Sequence, residues 1–142
     1  MINKLKNDYH TLLCEKEENT GLLREFTRSI KDSESIIEEY KLSIDATNKR
    51  IKKLNEQINI INKPKQKEEK INELRSEENT KDIYLSAIKN NEKNINEAQN
   101  EYVQISNRQE QIKIQMNNIR LKLEELKYKG ALPHQCFKIV EI

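Results

Sequence analysis

Gln57-Ile58-Asn59-Ile60-Ile61-Asn62-Lys63-Pro64-Lys65 is the stretch on which the fold turns. Pro64 has no backbone N–H to donate, and its ring pushes Lys63 away from helical dihedrals. A helix arriving from the N-terminal side therefore ends near Asn62, and Pro64 suits the first turn of a second helix. A connection this short forces the two helices to run antiparallel as neighbours. The next breakers are Gly130 and Pro133, in the usual order for a helix end, behind a last turn made basic by Lys127 and Lys129.

On either side of that break, apolar residues recur with a heptad period. From Ile2 the a and d positions run through Leu5, Tyr9, Leu12, Leu23, Phe26, Ile30, Ile37, Tyr40, Ile44, Ile51, Leu54, Ile58 and Ile61. Of 18 frame positions in this run, 14 are apolar, where a 35% hydrophobic chain would place roughly six. Beyond the break the frame runs from Leu74 through Tyr84, Ile88, Ile95, Ala98, Tyr102, Ile105, Ile112, Met116, Ile119 and Leu123 to Leu126. The pattern is that of a coiled coil. The sequence predicts an all-α fold: a long antiparallel two-helix coiled-coil hairpin over 1–130, with helices over about 2–62 and 66–129, a turn at about 63–66, and a short extended tail over 131–142.

Composition agrees with a narrow buried stripe. Of 142 residues, 35% are charged and 35% hydrophobic, with two Gly, two Pro and no Trp, which is too little to fill a thick globular interior. A net charge of +2 gives no global attraction to nucleic acid or anionic lipid, so such binding would have to come from local patches. No apolar run approaches the roughly 20 residues that span a bilayer, and the N-terminus lacks the apolar core of a signal peptide. Two cysteines fit a reducing compartment. Cytoplasmic residence is expected, a viral or nuclear setting being equally compatible.

The register follows from pairing a positions of one helix with d positions of the other. Facing residues whose numbers sum to 128 match apolar with apolar: Ile2 with Leu126, Leu5 with Leu123, Leu12 with Met116, Leu23 with Ile105 and Leu54 with Leu74. Two polar layers are expected, Asn19 opposite Gln109 and Thr47 opposite Lys81, which specify register at a cost in stability. Lys16, Ser33, Asn91 and Glu77 fit the frame less well. Along the g flanks Glu15 reaches Arg108, Asp8 reaches Lys122 and Arg50 reaches Glu73. Along the e flanks like charges meet instead, Lys6 near Arg120 and Lys127, and Glu34 near Glu92. The e flank therefore does not read as the solvated edge of a self-contained hairpin.

Function is sought in what the seam leaves out. Ile114, Leu121 and Tyr128 recur at f positions of the second helix, each preceded by a basic residue, and Leu13 and Cys14 lie near them on the first. The tail residues Phe137, Ile139, Val140 and Ile142 read as one short strand, which needs a partner to be stable. Ridge and tail together mark the open end of the hairpin as the expected docking site for a protein partner. At the turn, Lys63, Lys65, Lys67 and Lys70 form a basic tip able to contact phosphates, although no aromatic residue is interleaved to stack on bases. Soft metal ligands fall in two pairs, His10 with Cys14 and His134 with Cys136. Their spacing matches no zinc pattern and solvent exposure accounts for the first pair, so no metal and no cofactor is expected.

No Gly-rich phosphate loop or nucleophile motif is present, and the carboxylates lie on solvated faces where nothing tunes their pKa. The turn also lacks a Cys-x-x-Cys hook and an acidic tip. The expected role is a non-enzymatic coiled-coil structural or adaptor subunit that assembles with a protein partner, or with a second copy of itself, through the open end. The alternative is a nucleic-acid-associated arm, or a coiled-coil component of a DNA- or RNA-processing ATPase complex, contacting phosphates with the basic turn. Neither a membrane nor a small-molecule substrate is expected as partner.

Overall fold

A computed structural model describes residues 1–128 of the chain. It is an all-α hairpin of two long helices packed against each other, α1 over Ile2–Ile60 and α2 over Pro64–Tyr128. The described residues are 97% helical and contain no strand. The tail over 131–142, and the expected helix stop at Gly130, lie outside the described residues.

The break is tighter than the sequence predicts. α1 ends at Ile60 rather than near Asn62, and α2 begins at Pro64 itself rather than at about 66. Backbone hydrogen bonds give the reason. The Ile61 N–H donates to the Gln57 carbonyl at 3.1 Å and closes the last turn of α1. The Lys67 N–H donates to the Lys63 carbonyl at 3.0 Å, so Lys63 caps α2 and Pro64 occupies its first helical position. There the missing N–H of proline costs nothing, because that donor has no partner within the helix in any case.

The helices pack in two compact units. The first joins Met1–Thr27 to α2 from Gln99 onward, and the second is Arg28–Ala98, which includes the turn. In the first unit Tyr9, Ile112 and Met116 form a buried cluster, with Leu12, Leu13 and Ile119 packed against it. Ile112 is 0% exposed and Leu123 is also fully buried. Contact of Leu12 and Met116 within one cluster is what the 128 register requires.

In the second unit Ile37, Leu54, Ile88 and Ala98 are buried. Tyr40 and Tyr84, which the register places in adjacent layers, meet with ring centroids 5.7 Å apart and planes tilted by 40°. Both units thus bury or half-bury the a and d positions, apart from Lys16, Lys67 and Tyr102, and leave most other side chains in water, as a two-helix seam must.

Candidate functional site

Two charged contacts close the hairpin on or beside its g flank. In the first unit Arg108 reaches Glu15 with two hydrogen bonds, Nε to Oε2 at 2.5 Å and Nη2 to Oε1 at 2.9 Å. The fork of the guanidinium matches the two carboxylate oxygens, which fixes orientation as well as distance. The Arg108 hydrogen bond, aided by its charge and by Asn19 and opposed by desolvation, holds the Glu15 carboxyl below its ordinary value. Glu15 in turn raises Arg108, again first through the hydrogen bond. This pair is the one the sequence predicts.

Arg50 behaves differently from expectation. Its Nε donates to Glu77 Oε2 at 3.1 Å, one turn beyond the expected Glu73. Glu77 occupies a d position of the α2 frame, where its carboxylate needs a cation, while Glu73 is held by Lys70 at 3.5 Å. Arg50 also donates from Nη2 to Thr47 Oγ1 at 3.0 Å, and Thr47 donates to the Ser43 carbonyl at 2.9 Å. Thr47 is 0% exposed, so both capacities of its hydroxyl are used inside the seam. The expected Thr47 layer is present, then, but Arg50 and Glu77 complete it.

The other polar layer is also rearranged. Gln109 donates from Nε2 to the Lys16 carbonyl at 3.1 Å and to Thr20 Oγ1 at 3.2 Å, not to Asn19. Asn19 turns instead toward Glu15. Thr20 is available as an acceptor because its own hydroxyl proton is donated to the Lys16 carbonyl at 2.9 Å. Gln109 Oε1 is buried without a hydrogen-bond partner among the described residues.

The outward f ridge of α2 is present in part. Ile114 is 59% exposed and Leu121 is 49% exposed, one heptad apart on α2. Ile114, Lys113 and Arg120 also border an open groove whose floor includes Tyr9 and Met116. Tyr128 is the last described residue of α2, and its side chain, like Phe137, Ile139, Val140 and Ile142, lies outside the description.

Leu13 does not belong to the ridge. It is half-buried and packs against the Tyr9, Ile112 and Met116 cluster, because its e position borders the seam. Among the exposed apolar residues that the sequence reading passed over are Leu42 at 69% and Ile83 at 66% exposure, both in the second unit. Their f and c positions are the signal that marks them.

At the turn Lys63, Lys65 and Lys67 are exposed. Lys70 is not part of this tip. It is half-buried at a d position of the α2 frame, pairs with Glu73, and borders a groove with Leu54 and Gln57. Ile60 stands exposed beside the three lysines. On α1, His10 Nε2 and Cys14 Sγ approach to 3.8 Å, both exposed. His134 and Cys136 lie outside the described residues, and among the described residues no three His, Cys, Asp or Glu side chains gather as a metal site. No helix among the described residues is long and apolar enough to cross a membrane.

Several charges on the e flank have no opposite charge in reach. Among the described residues none of Lys6, Lys113, Arg120, Glu34 and Glu92 forms an ion pair. Arg120 hydrogen-bonds only the neutral Asn117, at 2.9 Å.

The described residues form a two-helix hairpin whose outward faces carry exposed apolar and basic side chains. Comparison with protein-family models, with curated proteins and with solved structures returned no match.

Proposed function

We propose that this chain is a non-enzymatic coiled-coil adaptor or structural subunit that assembles with a protein partner through the open end of the hairpin. The observation that carries this reading is the pair Ile114 and Leu121, half-exposed or more and one heptad apart on the outer face of α2. The seam cannot use them, since f positions point away from the partner helix. Two large aliphatic groups in line on one helical face are what a helix or strand of another chain would cover. Tyr128 extends the line by one more heptad in sequence, and Phe137, Ile139, Val140 and Ile142 supply a β-branched segment suited to adding to a sheet edge of the partner. A reducing compartment such as the cytoplasm suits the two cysteines.

The test is affinity capture from cells with three variants of the full chain. Ile114→Ser with Leu121→Ser, and separately truncation after Gly130, are expected to lose the partner. Lys63→Glu with Lys65→Glu and Lys67→Glu is expected to keep it. Capture that survives both of the first two changes ends the open-end reading.

A second reading is favoured by one observation: Lys63, Lys65 and Lys67 are all exposed, and none forms an ion pair among the described residues. In that reading the turn of the hairpin contacts nucleic-acid phosphates. Binding of an oligonucleotide would then weaken steeply with salt and with the triple Lys→Glu change.

A further inference from the structure

Near its N-terminal end, within the first unit, α1 turns away from the seam a face that carries two soft metal donors. His10 and Cys14 stand one helical turn apart at positions b and f, both exposed, with His10 Nε2 at 3.8 Å from Cys14 Sγ. Cys14 is a free thiol. Zinc bound at about 2.3 Å from a thiolate and about 2.05 Å from an imidazole nitrogen, at the tetrahedral angle, sets those two atoms about 3.6 Å apart. The helix therefore already holds both donors at chelating distance. The exposed contact between them is worth little in water, and a metal replaces it with hardly any change in separation.

Two donors are half of a tetrahedral set, which is why their spacing matches no zinc pattern within one chain. Among the described residues no third His, Cys, Asp or Glu joins them. The other soft donors of the chain, His134 and Cys136, follow Tyr128 by six and eight residues. In the 128 register the pair lies about 18 Å back along the hairpin from the level of Tyr128, on the side of α1 turned away from α2. Six residues span only about 20 Å when fully extended, less than the path around α1, so His134 falls short.

We infer that a second copy of this chain completes the site: the α1 segments of two copies dock antiparallel about a two-fold axis between His10 and Cys14, and the four side chains hold one zinc ion. The axis brings His10 of each copy beside Cys14 of the other, which makes a set of two nitrogens and two sulfurs. Each Cys14 thiol releases its proton to solvent as the sulfur binds, so two thiolates balance the charge of the ion, and each His10 binds neutral through Nε2.

The surrounding face accepts the same axis. From Asn3 to Gly21 the charged residues at positions b, c, e and f are Lys4, Lys6, Glu17 and Glu18, and none of them has an ion-pair partner among the described residues. In an antiparallel pair like flanks face each other. Lys4 then falls opposite Glu18 of the other copy, Glu17 opposite Asn7 and Lys6 opposite Thr20, and no like charges meet. Leu13, half-buried on its own chain, meets Leu13 of the other copy. One face thus supplies both the missing donors and the opposite charges.

The inference is independent of the open-end reading, and zinc itself is the probe. Under a non-thiol reductant the full chain is expected to bind one zinc ion per two chains, with zinc doubling the sedimenting mass found in EDTA. Cobalt(II) in its place should show the intense visible absorption of a tetrahedral site with sulfur ligands. His10→Ala and Cys14→Ser should each abolish the doubling while circular dichroism stays helical, because both positions are exposed. His134→Ala with Cys136→Ser should change neither stoichiometry nor mass, and neither should Ile114→Ser with Leu121→Ser. One zinc ion per chain, or binding that His134→Ala with Cys136→Ser removes, overturns the inference. No binding at micromolar zinc overturns it, and so does doubling that persists in Cys14→Ser. A doubled mass that appears only without reductant assigns Cys14 to a disulfide between copies and overturns it as well.

Discussion

The Arg108 guanidinium spans the hairpin to hold both carboxylate oxygens of Glu15, at 2.5 and 2.9 Å. Between residues 93 positions apart in the chain, the bond reports the antiparallel register of the first unit directly. It also makes that register sensitive to acid.

Because Arg108 lowers the Glu15 pKa in the folded state, the unfolded chain binds the proton more readily there. The stabilisation is complete above the ordinary value of 4.5 and is lost as pH falls through the lower, folded value. Wild type is expected to melt above Glu15→Gln at neutral pH, and the two melting temperatures should converge in acid. The effect should be small and weakened by salt, since both side chains are partly solvated. A gap that is unchanged in acid would show that Glu15 acts through packing instead.

Ile112 and Ile114 are two residues apart and differ in everything else. Ile112 is fully buried, so Ile112→Ala should cost about 2–5 kcal/mol from lost burial and the cavity left behind. Ile114→Ala should stay within about 0.5 kcal/mol, because water already surrounds that side chain. Urea unfolding followed by circular dichroism measures both. Equal costs would mean that Ile114 is covered in the isolated protein.

Gly21 sits inside α1 on an exposed face, and a methyl group added there meets nothing within 4 Å. Gly21→Ala should therefore stabilise the chain by roughly 0.5–1 kcal/mol, through the lower backbone freedom of alanine when unfolded. A rise in the thermal midpoint checks this. A fall would mean that the position serves a contact outside the hairpin.

Glu77 places a carboxylate in the apolar frame, held by Arg50. Glu77→Leu should be neutral or stabilising by up to about 1 kcal/mol, since leucine restores the frame and Arg50 keeps Thr47 and water as partners. Arg50→Ala should then cost less in the Glu77→Leu background than in wild type. Equal costs in both backgrounds would remove any coupling between the two residues.

The heptad spacing of Ile112, Met116 and Leu123 was legible because a coiled-coil seam is periodic, and burial simply follows the period. The partners of Arg50 and Gln109 were not. Long side chains choose among several acceptors within one turn, and the choice depends on which neighbour is already satisfied: Glu73 has Lys70. Leu13 and Lys70 were misread for a related reason. Each was assigned to a patch by its neighbours in sequence, while its position beside or within the frame turned it toward the seam. The ridge was legible as far as Leu121, because f positions face water whenever a and d are buried.

The sequence by itself determined the two helices, the break at Pro64, the antiparallel pairing and the stripe that is buried, since all four follow from local geometry and a fixed period. Only the tertiary structure decided how the polar residues inside that stripe are neutralised. Burial is set by where a residue stands on its own helix. Neutralisation is set by which atoms of the facing helix come within hydrogen-bonding reach, and that depends on side-chain conformations which no spacing along the chain encodes.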